Sequence, residues 1–366
     1  MIPMFSTYIS PSAYTSIKKV LDSTRLSEGV YVRMFEDTLE KNLGLLNPTA
    51  VNSGTSALHL ALVVAGVKSG DEVICPSQTF IATAMAILHQ GAVPVFCDIH
   101  YENGNSDVSS IESLITPKTK AIMVVHWAGY PCDLDEIHLI AKKYGLKVIE
   151  DAAHALGAVY KGSRIGGISD FTCFSFQAIK HLTTGDGGAL CCINPGDSEK
   201  ARTQRWFGID REHSFPGFLG EREQDISEIG YKYHMNDYAA ALGVANMENF
   251  NERLSARKRI AEHYSHEFSG IHGLHLFSYS SDRESAFWLF GMHVEDRSSF
   301  IRAMNERGVS VSVVHQGIHR HSIFGALERD LPNQKQFDQT QIHIPLHDGL
   351  SDEDVETIIH AVKKGW

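Results

Sequence analysis

Lys147-Val148-Ile149-Glu150-Asp151-Ala152-Ala153-His154 is a short apolar run that stops on acidic and small residues. Such a run between polar breaks reads as a buried strand, here Leu146 to Asp151. Similar runs precede it at Val73 to Pro76, Pro94 to Asp98 and Ala121 to His126. Between them lie helical patterns, Ser56 to Ala65, Phe80 to Gln90 and Asp133 to Lys143. This alternation predicts an α/β fold with a mostly parallel sheet covered by helices on both faces. Ligands in such folds sit outside the carboxyl ends of the strands, so the residues that follow each strand become the candidates.

Beyond Ser169 the strands crowd together, Phe171 to Phe176 and Gly188 to Cys192, joined by a Thr/Gly-rich loop. A long helix is expected over about residues 236 to 262. After Leu274, a strand (Ala286 to Val294), a helix (Ser298 to Gly308) and a last helix (Asp352 to Lys364) suggest a small α+β domain. The expected division is a large domain over 1–245 and a smaller C-terminal one over 246–366.

With 366 residues, 43% hydrophobic and 21% charged, the chain has the composition of a soluble globular protein. A formal net charge of -11 gives no support to a nucleic-acid partner, because phosphate binding needs a basic surface. No stretch approaches the ~20 continuous apolar residues of a membrane helix. The start, MIPMFSTYIS, lacks the basic and apolar parts of a signal peptide. Six cysteines without paired spacing suit buried free thiols in a reducing cytoplasm. Twenty histidines invite a metal reading, yet there is no HExxH and the one close group is His315, His319 and His321. The plainer reading is surface and loop histidines, one of them touching substrate, with no metal site.

Three short segments carry chemistry. Asn52-Ser53-Gly54-Thr55-Ser56 follows a strand and opens a helix, and free N–H groups with the helix dipole suit a phosphate dianion. An ordinary Ser/Thr helix cap has the same look. Asp151 ends its strand, where a buried carboxylate needs a cationic partner such as a protonated pyridine nitrogen. It reads equally as the N-cap of a following helix. In Ser175-Phe176-Gln177-Ala178-Ile179-Lys180-His181-Leu182-Thr183-Thr184-Gly185-Asp186-Gly187-Gly188, a lysine sits between a strand and a glycine-rich turn. Burial lowers a lysine pKa so that it can form an imine, although a lone loop lysine is usually solvated. Lys180 follows Asp151 by 29 positions (180 − 151) and Ser175 by five (180 − 175), and the set is far more specific than its parts.

That set resembles the DegT/DnrJ/EryC1/StrS family of nucleotide-sugar aminotransferases. The resemblance spans nearly the whole chain, from Ser27-Glu28-Gly29 through NSGTSALHLAL (52–62), GDEVICPSQTFIATA (70–84), VIEDAAHALGA (148–158) and FSFQAIKHLTTGDGGAL (174–190) to IPLHDGLSDEDV (344–355). It implies the fold type I of pyridoxal 5'-phosphate (PLP) enzymes, like aspartate aminotransferase. By resemblance, Lys180 matches the Schiff-base lysine and Asp151 the partner of the ring nitrogen. Ser175, Gly54 and Thr55 match phosphate contacts, and Phe80 matches the aromatic stacked on the ring. His154 and Gln177 fall near the cofactor; Gln177 stands where the family often has histidine. Gly230-Tyr231-Lys232-Tyr233-His234-Met235 stands where relatives have GYNYRM. That implies a homodimer with shared sites, in which Lys232 reaches the neighbouring cofactor's phosphate or a substrate diphosphate.

The resemblance further implies transfer of an amino group from L-glutamate to a nucleotide-linked keto sugar, a 4-keto-6-deoxyhexose, in pathways such as lipopolysaccharide O-antigen synthesis. The loop after Lys180 is closer to relatives that aminate C4 than to those acting at C3. Three rivals remain: a same-fold sugar dehydratase, which carries histidine in place of Lys180; a PLP-binding regulator, which needs a basic DNA-binding module; and a nicotinamide-dependent oxidoreductase, which needs a glycine fingerprint absent here.

Overall fold

In the computed structural model, which describes residues 1–211, 216–221, 225–325 and 330–366, helices α1 (Ser12–Ser23) and α2 (Val30–Leu43) precede a strand–helix alternation. It runs β1 (Thr49–Val51), α3 (Gly54–Val64), β2 (Glu72–Pro76), α4 (Ala82–His89), β3 (Val93–Cys97), α5 (Val108–Ser113), β4 (Thr119–Val125), α6 (Leu134–Tyr144) and β5 (Lys147–Asp151). A ribbon of β6 (Val159–Tyr160) and β7 (Ser163–Arg164) follows, then β8 (Phe171–Ser175), β9 (Gly188–Cys192) and α7 (Pro195–Gln204).

The central sheet has the order β1-β9-β8-β5-β4-β2-β3. Its pairings are parallel except those of β9 with β1 and β8, so the expected mostly parallel α/β sheet is present. Along β4, Ile122 and Val124 pack into one core while Ala121 and Met123 pack into the other. A strand buried on both faces needs apolar residues at every position, which is why these strands read as unbroken apolar runs.

The remainder comprises α8 (Asp237–Asn246), α9 (Phe250–Phe268), β10 (Leu274–Leu276), β11 (Arg283–Glu284), β12 (Phe290–Val294), α10 (Arg297–Glu306), α11 (Pro332–Thr340), β13 (Gln341–Ile344) and α12 (Asp352–Lys363). Strands β10, β12 and β13 form an antiparallel sheet, and β11 joins the ribbon. Two expectations need correction. The single helix over 236–262 is two helices, because Asn249 adopts the left-handed conformation (φ 57°) between them. The strand expected from Ala286 begins at Phe290; the N–H groups of Ala286 and Trp288 donate instead to Gly129 and Ala128 carbonyls. The chain's start also joins the C-terminal layer, with Ile2 bridged to Val309. All six cysteines are buried, and none is in a disulfide. Among the described residues no helix is long and apolar enough to cross a membrane.

Candidate active site

Val125 and Asp151 end β4 and β5 and are matched in register with each other and with Cys173, the middle residue of β8. All three line a cavity of about 380 Å³, where an α/β sheet is expected to hold its ligand. Asp151 is buried, and no helix starts after it, so the N-cap alternative falls. Its Oδ2 accepts from the Thr83 hydroxyl (2.7 Å) and its Oδ1 from the Ala153 N–H (3.2 Å). Burial pushes the carboxyl pKa up; the Thr83 and Ala153 hydrogen bonds and the Lys180 charge oppose this. A cation seated beside it would be strongly favoured.

The loop after β8 folds onto one carbonyl. Phe176 O accepts from Thr184 N–H (2.9 Å) and the Thr183 hydroxyl (3.2 Å), while Phe176 N–H donates to Gly187 O (2.8 Å). This turn carries Lys180 into the same cavity as Asp151. Its amine lies 3.7 Å from the Trp288 ring centre. Burial lowers the Lys180 pKa to about 7, with the Asp151 charge opposing. An amine so poised is a competent nucleophile and proton carrier near neutral pH.

In the same cavity lining, Ser53 caps α3, its Oγ accepting from Ser56 N–H at 3.0 Å. Helix geometry leaves the N–H groups of Gly54 and Thr55 without intrahelical partners. A Cβ on Gly54 would stand 2.9 Å from Ser175 Cβ, and one on Gly188 would stand 2.6 Å from the Ser53 carbonyl. Glycine alone lets this helix start approach β8 and β9 so closely. The unpaired amides with the Thr55 and Ser175 hydroxyls make an anion cradle that fits a phosphate.

Gly54, Thr55, Phe80, Asp151, His154, Ser175, Gln177 and Lys180 therefore line one cavity. His154 is buried, its ring stacked on Trp288 at 3.8 Å, and burial holds its pKa well below the usual range. Among the described residues its Nδ1 has no hydrogen-bond partner. Phe80 is half-exposed at the mouth, tilted 5.2 Å from His315. Lys232 is not brought in: its amine rests 3.7 Å above the Trp206 ring, outside the cavity. The histidine group separates too. His315 lines the cavity, His319 Nδ1 meets Ser77 Oγ at 2.6 Å, and His321 is exposed. Among the described residues no cluster of three or more His, Cys, Asp or Glu side chains is placed to hold a metal.

Sequence reading missed Trp288, Thr83 and the placement of His315. Trp288 sat inside an apparent strand and Thr83 inside an apparent helix, and neither position carries a local signal.

A flat anionic group with a basic ring nitrogen fits this cavity, which an amide cradle, a buried carboxylate, an amine and aromatic surfaces line together. Fold and site together define an enzyme of the pyridoxal-phosphate class. The model of the DegT/DnrJ/EryC1/StrS aminotransferase family matches residues 8–363, and the chain belongs to that family. It is 33% identical to GDP-perosamine synthase from Caulobacter vibrioides, over 94% of this chain and 93% of that one. The crystal structure of sugar aminotransferase CalS13 from Micromonospora echinospora superposes with a TM-score of 0.95 at 33% identity, covering 100% of both chains. Spr1654 from Streptococcus pneumoniae, solved in a PLP-form, gives a TM-score of 0.90 at 30% identity, covering 99% of this chain and 98% of that one. This chain is a PLP-dependent sugar aminotransferase.

Proposed function

We propose that the chain moves an amino group from L-glutamate to a nucleotide-linked keto sugar, a 4-keto-6-deoxyhexose aminated at C4. One observation carries the assignment of roles: the Lys180 amine and the Asp151 carboxylate line one cavity, close enough for each charge to act on the other. GDP-perosamine synthase supports the nucleotide-linked acceptor by its name.

Bound pyridoxal phosphate supplies an electron sink for the pair left when a substrate carbon loses a proton. Lys180 would hold it covalently, and Asp151 would pair with its ring nitrogen. The amides of Gly54 and Thr55 and the Ser175 hydroxyl would hold its phosphate, while Phe80, His154 and Gln177 would bound its ring. The Lys180 amine would take a proton from the donor α-carbon. In the second half it delivers one to the sugar carbon that gains nitrogen. A pKa of about 7 lets one residue serve as base and then acid.

The working form in this reading is a homodimer whose partner supplies Lys232. Large apolar side chains exposed at Phe218, Leu219 and Ile229 support a covering partner. Six buried cysteines outside any disulfide support a cytoplasmic setting. Incubating the holoenzyme with glutamate and a panel of GDP-, UDP- and TDP-linked keto sugars tests the reading, with the new amine located by NMR. An amine at C4 is expected. Amination at C3, or a deoxygenated product without nitrogen, would point to the rival activities.

A further inference from the structure

The segment from Val314 to His319 reaches the cavity, with Val314 and His315 lining it. Buried polar groups from separate parts of the chain pin its backbone. The His315 carbonyl accepts from Gln341 Nε2 (2.9 Å) and Gln78 Nε2 (3.1 Å), two wholly buried amides. Gly317 N–H donates to Asp338 Oδ1 (2.9 Å), and His319 N–H donates to Ser77 Oγ (3.2 Å). Buried amides are tolerated only when satisfied, and these are satisfied by fixing this one turn.

The His315 side chain is treated differently. No group among the described residues hydrogen-bonds its imidazole, which stands 5.2 Å from the Phe80 ring and 5.9 Å from Trp127. Burial and the neighbouring Lys180 charge bring its pKa down to about 4. At neutral pH the ring is uncharged, with one N–H donor and one acceptor nitrogen. A neutral imidazole adds no charge to draw in a carboxylate, but it matches a hydroxyl, which both donates and accepts.

The geometry points to His315 as a specificity-determining residue that hydrogen-bonds a hydroxyl of the sugar acceptor and leaves the carboxylates of the amino donor to other groups. The inference rests on the acceptor reading above. It separates the two half-reactions: His315 serves the second and is idle in the first.

Each half can be followed alone in a single turnover by the visible spectrum of the bound cofactor. The donor half uses PLP-loaded enzyme with glutamate. The acceptor half uses enzyme loaded with pyridoxamine phosphate and a GDP-linked 4-keto-6-deoxyhexose. His315→Phe keeps an aromatic ring but removes both hydrogen-bonding nitrogens. It should slow the acceptor half about tenfold to a hundredfold and weaken calorimetric binding of the amino-sugar product by a similar factor. The donor half should stay within about twofold of wild type. His315→Gln, which can donate and accept, should recover most of the loss. Parallel losses in both halves, or an unaltered acceptor half in His315→Phe, overturn the assignment. Wild-type enzyme that completes the donor half yet aminates no keto sugar overturns the acceptor reading, and this inference with it.

Discussion

Lys180 and Trp288 are locked together at two points: the lysine amine lies 3.7 Å from the indole ring centre, and the indole Nε1–H donates to the carbonyl of Ile179 at 3.0 Å. The aromatic face favours the ammonium form while burial disfavours it, so the ring also acts on the amine's titration. Trp288→Phe keeps a face but leaves the Ile179 carbonyl unpaired, a loss of about 1–3 kcal/mol. Thermal unfolding should shift down by a few degrees and kcat should fall about tenfold as the lysine loses its seat. A lower Tm with unchanged kcat would show that Trp288 merely fills space.

The lowered Lys180 pKa, about 7, fixes a pH dependence. Only the neutral amine attacks an aldehyde, and its fraction grows as pH rises through the pKa and then levels. Stopped-flow mixing of apoprotein with pyridoxal phosphate should give a capture rate that rises through about pH 7 and is flat by pH 9. A rate still climbing toward pH 10, as for an ordinary lysine, contradicts the enclosed-amine account. Lys180→Ala should capture nothing covalently at any pH.

Asp151 depends on a hydroxyl relay. Thr83 donates to its Oδ2 at 2.7 Å, and Thr79 Oγ1 lies 2.6 Å from Thr83 Oγ1, with both threonines buried. Since the Thr83 proton goes to the carboxylate, Thr79 must donate to Thr83. Thr83→Val preserves volume and removes a hydrogen bond to an ionised group, about 1.5–3 kcal/mol. Equilibrium dialysis should show cofactor held roughly tenfold to a hundredfold more weakly. Thr79→Val should have a smaller effect, and the reverse order would refute the relay.

What could be read in advance has a physical pattern. Asp151, Gly54 and Lys180 each sit where one element ends and a loop begins, and apolar periodicity marks such ends. The facing wall has no such marker: Trp288 meets Ile179 across 109 residues, and Thr83 meets Asp151 across 68. Those contacts exist only once the sheet and the C-terminal layer have packed. The long helix was misread because apolar spacing continues past Asn249, and only its left-handed φ breaks the rod. Lys232 was named by resemblance, and a single chain leaves it outside its own cavity.

Stability should hinge on a different residue, Arg205. It is buried, pairing through Nη1 with Glu36 (2.5 Å) and the Ala50 carbonyl (2.8 Å) and through Nη2 with Glu28 (2.5 Å). Arg205→Met abandons the buried Glu36 carboxylate, so denaturant unfolding should lose about 3–5 kcal/mol. Adding Glu36→Gln should restore part of it. A loss under about 1 kcal/mol would mean the carboxylates have found water instead.

The position of Lys232 sets up a test of subunit sharing. Its ammonium rests on Trp206 with Arg211 beside the same ring, 4.8 Å from the centre, and none of the three lines the cavity of its own chain. If Lys232 completes a partner's site, Lys232→Ala and Lys180→Ala homodimers are both crippled, for different reasons. In a mixed dimer the Lys232→Ala subunit keeps its own Lys180 and receives an intact Lys232 from its partner, so one of the two sites is whole. Random reassortment of equal amounts should then recover roughly a quarter of wild-type activity. Recovery should require subunit exchange, so mixing without prior dissociation should leave activity at the level of the separate variants. No recovery after verified exchange would place the role of Lys232 within its own chain.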